Sequence, residues 1–264
     1  MCGDNMKDFF TFYRDISSID LPFQAFHMVH IVFLVLTLIG ICLLYRTYNR
    51  LDQAGKRKFQ VGMAIFYLVE ETIYTAWLLV MCHHDVWHEV LPLELCSLCA
   101  YINALTVLLR KDYLRFFSGV VGLIAGLVAM LYPANISNLY PAISYRTINF
   151  YLLHGSFILF SLIQLKDVSL LQYYHLKKNY LIICCMYSSA FVVNLMMNTQ
   201  YMFVGTPPEL GFIASVYQLT GVVFFLPVVL IVLGILQVVV LFILRKIFRV
   251  KERLPQESLR YMNS

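Results

Sequence analysis

Residues 25–45, AFHMVHIVFLVLTLIGICLLY, contain no Asp, Glu, Lys or Arg, and the stretch that follows, RTYNRLDQAGKRK at 46–58, carries five basic residues. About 20 consecutive apolar residues are what an α-helix needs to cross the roughly 30 Å hydrocarbon core of a bilayer. Six further runs of this kind are read at 59–81, 92–109, 116–132, 146–165, 179–199 and 213–244, separated by short polar or Pro-containing segments. Over the whole 264 residues, 60% are hydrophobic and 13% charged, and the mean hydropathy is +0.73. Soluble domains are about 25% charged. A disordered, collagen-like or ordinary cytosolic protein is excluded, and an all-α polytopic membrane protein of seven transmembrane helices is expected. Seven cysteines in so apolar a chain read as small buried hydrophobes rather than a disulfide scaffold.

The domain reading is one membrane unit, 25–244, between an extracytoplasmic segment, 1–24, and a basic tail, 245–264. No internal repeat is visible. Seventeen of the 20 Lys and Arg fall in the first, third and fifth loops and the tail, against Lys7, Arg14 and Arg146 on the other side. The positive-inside rule then places the N-terminus outside and the C-terminus in the cytoplasm. The first residues lack a basic n-region running into an apolar stretch and cleavage site, so the first span is expected to remain in the mature protein. The last run is overlong and contains Pro227, which predicts a kink or strong tilt.

Ionisable groups inside a bilayer are costly and mark functional positions by default. Glu70 and Glu71 fall near the middle of span two, about 15–18 Å from its cytoplasmic end. They are read either as functional groups or as neutral acids bonded to a neighbouring helix. His154 lies about 12 Å below the outer end of span five, and Arg146, eight residues earlier, shares roughly its face. An arginine at a membrane mouth suits bidentate capture of a phosphate or carboxylate. His27, His30, Glu94, Asn194, Asn198 and Tyr201 crowd the same outer half, which predicts a cavity opening there.

Cys96 and Cys99 form a CxxC in span three. Cys96 falls in the first turn or two of its helix, where unpaired amides and the dipole favour negative charge, so it is preferred as nucleophile. The plainer reading makes both sulfurs packing groups. His83, His84, Asp85, His88 and Glu89 have spacing that can bind zinc but read better as an interfacial cap. Gly122 and Gly126 form a GxxxG, expected to pack two helices closely.

The segment Leu91-Pro92-Leu93-Glu94-Leu95-Cys96-Ser97 resembles the LPLxLCS signature of YwaF-type bacterial integral membrane proteins, whose animal relative is a cysteine-dependent membrane acyltransferase acting on phospholipids. Pro133, Arg146 leading into Phe150-Tyr151 and His154, Asn198 with Tyr201-Met202, and Pro207 match further family motifs over about 60–230. Glu94 stands where the family often carries His or Asn. The resemblance implies a bacterial cell-membrane location and a thioester mechanism, with Cys96 as nucleophile and His154 as base. The substrate-binding residues would be Arg146, Glu71, Glu94, Asn194, Asn198 and Tyr201. Phospholipids are the expected partners, with no cofactor, no metal and no nucleic acid. Two other classes stay open: a thiol oxidoreductase using Cys96 and Cys99, and a transporter or receptor-like binder of a polar ligand.

Overall fold

The computed structural model describes residues 9–13, 22–82, 86–205 and 211–250. Among them lie seven long helices: α1 Met28–Arg50, α2 Gln53–Met81, α3 Leu95–Leu109, α4 Asp112–Leu131, α5 Tyr145–Leu165, α6 Tyr174–Met197 and α7 Gly211–Ile247. A single helical turn, Trp87–Val90, precedes α3, and short 3-10 turns follow α5 and α6. Among the described residues, six of the long helices have the length and apolar composition to cross a membrane.

The exception is α3. The expected third span, 92–109, becomes helical only at Leu95, because Glu94 is extended (φ −71°, ψ 147°). Its 15 residues reach about 22 Å at the usual rise, short of a full bilayer core. A short helix is tolerable here because α3 packs against α2, α4 and α5 rather than standing alone in lipid.

Other boundaries shift for local reasons. The basic stretch expected to be the first loop is almost all helix. Asp52 caps α2 by accepting from the Gly55 amide at 2.7 Å, so Lys56, Arg57 and Lys58 ride on the first turns of α2. Likewise α6 starts at Tyr174 rather than 179. The break expected near Pro227 occurs instead at Gly221, whose φ of +67° lies where L side chains are disfavoured.

The central helix is α5, which touches α1, α2, α3 and α4 and buries Phe150, Leu153, Phe157 and Phe160. Its closest neighbour is α4, and the GxxxG explains the approach. A Cβ on Gly126 would stand 2.8 Å from Ile158 Cγ1 and 2.9 Å from the His154 carbonyl oxygen. On the other side, a Cβ on Gly155 would meet Thr37 of α1 at 2.5 Å.

The basic loops meet at one end of the bundle. Arg57 donates to the Val107 carbonyl at 2.8 Å, Lys166 to Asn49 at 2.5 Å, Arg115 pairs with Asp167 at 3.2 Å, and Arg245 donates to the Leu171 carbonyl at 2.6 Å. Arg146 begins α5 at the opposite end.

Candidate functional site

At the Arg146 end lies a cavity of about 300 Å³, walled by α2, the 88–97 segment, the loop before α5 and the first turns of α5. Cys96, Arg146, Glu71 and Glu94 all line it, with Glu70, Glu89, His88, Tyr74 and Ser97. Four of the residues expected at the site are thus brought together from three separate stretches of chain.

Cys96 occupies the second position of α3, and its place follows from how that helix starts. The first intrahelical bond runs from the Leu98 amide to the Glu94 carbonyl at 3.0 Å. The amides of Leu95, Cys96 and Ser97 have no backbone acceptor among the described residues, as the first turn of any helix requires, and the Ser97 amide instead reaches the Cys96 sulfur. Cys96 is partly exposed, whereas Cys99, one turn on, is 0% exposed and does not line the cavity. The two sulfurs of the CxxC therefore occupy different environments. Glu94, Glu71 and Arg146 are the charged groups that act on the Cys96 sulfur.

Arg146 is held by rings rather than by carboxylates. Its guanidinium carbon lies 4.8 Å from the Tyr74 ring centre and 6.0 Å from that of Phe150. No hydrogen bond or ion pair joins it to any described residue. Stacking on aromatic faces positions a guanidinium while leaving its N–H fork available. Glu70 is turned toward α5, accepting from Asn149 Nδ2 at 2.6 Å, and its Oε2 is buried with no partner among the described residues. Glu71, 2% exposed, sits beside Ser97.

His154 does not line this cavity; its neighbour Leu153 does. The ring is 4% exposed and lies 4.2 Å from the Phe150 ring, so Arg146, Phe150 and His154 follow one another along one face of α5. Its Nδ1 is 2.7 Å from the Phe150 carbonyl oxygen. A carbonyl only accepts, so Nδ1 carries the proton and Nε2 presents a lone pair. Spans three and five, whose adjacency the mechanism needs, do touch.

Asn194, Asn198 and Tyr201 lie outside the cavity lining. Asn198 ends α6 in the left-handed conformation (φ 55°). The Tyr201 hydroxyl donates to the Trp87 carbonyl at 2.8 Å and accepts from the Leu91 amide at 3.1 Å, anchoring the segment that leads into Cys96. Tyr74, Ser97 and Asn149 were missed by sequence reasoning. Tyr74 had a legible signal, four residues after Glu70 and so on the same helical face. Asn149 and Ser97 had none. His83, His84, Asp85 and Pro207 lie outside the described residues. Among the residues described, no three His, Cys, Asp or Glu side chains converge as metal ligands.

An apolar groove of about 430 Å³ runs between α1, α2 and α5, past Tyr151 and Gly155 on either side of His154 in sequence.

A family model for the TMEM164 family matches residues 22–253, and the chain belongs to that family. Together with the six long apolar helices, this makes it an integral, multi-pass membrane protein. The family expected from the LPLxLCS segment was the YwaF type; the one that matches is TMEM164. No curated protein and no solved structure matches the chain.

Proposed function

We propose that this TMEM164-family protein is a membrane-embedded acyltransferase, or acyl hydrolase, that processes phospholipid acyl chains through a thioester on Cys96. One observation carries the reading: a partly exposed cysteine at a helix N-terminus shares a cavity with an arginine that no described residue engages by a hydrogen bond or an ion pair. The likeness of the LPLxLCS and His154 segments to YwaF-type proteins supports acyl transfer through the animal relative of that family, a cysteine-dependent acyltransferase. In the same reading α3 is the short seventh crossing, the basic end faces the cytoplasm, and the Cys96 cavity opens toward the outer leaflet.

The steps balance without a cofactor. Arg146 holds the lipid phosphate through its free fork. The Cys96 sulfur attacks the ester carbonyl carbon, and the thiol proton passes to His154 Nε2 directly or through one water. The amides of Cys96 and Ser97 are the donors offered to the developing oxyanion; Tyr201 spends its hydroxyl on Trp87 and Leu91, and Asn198 does not line the cavity. Collapse breaks the ester bond, the leaving alkoxide takes the proton from His154, and a lysophospholipid departs. An acceptor hydroxyl, or water, then cleaves the thioester by the reverse proton path. The apolar groove between α1, α2 and α5, lined by Tyr151 and Gly155, suits an acyl chain. His88, which lines the cavity itself, is the rival base.

A second reading has a specific support. Four glutamates facing one arginine also suit capture of a zwitterion without chemistry. Incubation of the purified chain with phospholipid labelled in its acyl chain, followed by intact-protein mass, separates the two. A hydroxylamine-labile acyl adduct that maps to Cys96 supports the thioester; reversible binding with no adduct leaves a binder.

A further inference from the structure

At the other end of the bundle from Cys96, the ends of α1 to α5 surround a second cavity of about 740 Å³. Five cations line it: Lys56 and Arg57 from α2, Arg110 at the end of α3, Arg115 from α4 and Lys166 after α5. The one carboxylate among the lining residues is Asp167, which Arg115 already engages at 3.2 Å. Lys56 and Arg110 have no ion pair or side-chain hydrogen bond with any described residue. Arg110 moreover takes the left-handed conformation (φ 53°, ψ 29°) at the C-cap of α3, a position where glycine is usual and a side chain costs energy.

Membrane topology requires basic residues on the cytoplasmic side, but not their convergence on a common void. Like charges around a void repel one another, and an anion seated among them reverses the sign. Among the lining residues the excess is four positive charges, and it is three when Asp112, outside the lining but paired with Arg115 at 3.1 Å, is counted. A carboxylate ligand brings one negative charge per group, whereas each phosphomonoester brings about 1.5 to 2 and three acceptor oxygens. Three of the five cations are arginines, whose forks match phosphate. Gln53, Gln60 and Tyr48 line the same cavity and can bond hydroxyl groups. We propose that the cavity between Lys56, Arg57, Arg110, Arg115 and Lys166 binds a multiply phosphorylated polyol. That chemistry has two sources, a phosphorylated inositol lipid headgroup in the adjoining leaflet and a soluble inositol polyphosphate. The inference is independent of the chemistry at Cys96.

The test uses the full chain in phosphatidylcholine nanodiscs, reading binding and thermal unfolding with three probes. The probes are phosphatidylinositol bisphosphate in the disc, phosphatidylserine in the disc at matched charge, and soluble inositol hexakisphosphate. A ligand that binds only the folded state raises Tm with concentration. Saturable binding and a raised Tm are expected with at least one phosphorylated probe and not with phosphatidylserine. A response to the lipid alone assigns the headgroup, and a response to the soluble probe assigns the free polyol phosphate. Lys56→Gln with Arg110→Gln weakens binding by roughly tenfold per cation. Lys177→Gln with Lys178→Gln removes two exposed cations from α6 that do not line the cavity and leaves binding intact. Without ligand, the first double variant holds or raises Tm, because it relieves repulsion. No saturable response to either phosphorylated probe, an equal response to phosphatidylserine, equal losses in both double variants, or a lowered ligand-free Tm in the first would each overturn the assignment.

Discussion

Asn194 grips Tyr201 by both faces of its backbone: Asn194 Nδ2 donates to the Tyr201 carbonyl at 2.9 Å, and Asn194 Oδ1 accepts from the Tyr201 amide at 2.9 Å. Thr199 completes the clamp by donating to the same oxygen at 2.7 Å. Because the Tyr201 hydroxyl bonds Trp87 and Leu91, the end of α6 is tied to the start of α3. The two residues anchor the segment that leads into Cys96, and neither lines its cavity.

Tyr201→Phe therefore leaves the Trp87 carbonyl and Leu91 amide without their partner, at a cost of about 1 to 3 kcal/mol. A lowered Tm in detergent or nanodiscs checks this, together with a fall in kcat larger than any rise in KM. An unchanged Tm would show that the anchor carries no weight.

The two cysteines should separate cleanly. Cys96→Ala is expected to abolish turnover and the acyl adduct, whereas Cys99→Ala should retain both. A redox couple needs its second sulfur to resolve the mixed disulfide, and a thioester mechanism needs only one. Equal loss in both variants would favour the oxidoreductase reading.

The base is settled by comparing two histidines. His154→Gln retains an N–H donor for the Phe150 carbonyl but offers no basic nitrogen. Turnover should fall by about 10² or more, as for loss of a general base. Added to Cys96→Ala it should cost nothing further, since groups that act as a unit are not additive. Activity surviving in His154→Gln but lost in His88→Gln would move the role to His88.

Close helix contact supports a stability prediction. Gly126→Ala gains about 1 kcal/mol of helix propensity but drives a methyl into the His154 carbonyl and Ile158, and overpacking costs about 1 to 3 kcal/mol. Tm should fall. Gly40, with nothing within 4 Å of an added Cβ, is the control, and Gly40→Ala should hold or raise Tm.

Asp167 gives a pH test outside the membrane spans. Burial alone would raise its carboxyl, but hydrogen bonds from Ser169 and the charge of Arg115 outweigh this and hold it below its ordinary value. A depressed carboxyl stabilises the fold above its unfolded range, and the contribution disappears as pH falls through the folded value. Because the side chain is 41% exposed, solvent screening limits the pair to a few tenths of a kcal/mol. Asp167→Asn should lower Tm slightly at pH 7, and the difference should shrink as pH falls below the ordinary carboxyl value of 3.8.

The bilayer makes much of this fold legible in one dimension. A segment that crosses it must satisfy its backbone internally and show apolar side chains over a fixed length. The sequence by itself therefore located the seven long helices among the described residues and grouped the basic loops. It also singled out Cys96 over Cys99 through helix position. Helix ends were less legible, because capping by Asp52 carried α2 back through residues expected to be loop.

The site itself was decided by tertiary structure. Apolar all round, these helices carry little periodicity to reveal which face turns inward. Their rotation is set by close contacts such as Gly126 on His154 and Gly155 on Thr37. That packing seats Cys96, Glu71, Glu94 and Arg146 around one cavity and leaves His154 just behind its wall. It also joins Asn194 and Tyr201, expected as substrate contacts, in a clamp on the start of α3 outside the cavity lining. Burial depth, which separates the two sulfurs of the CxxC, is likewise a property of neighbouring helices that no run of residues encodes locally.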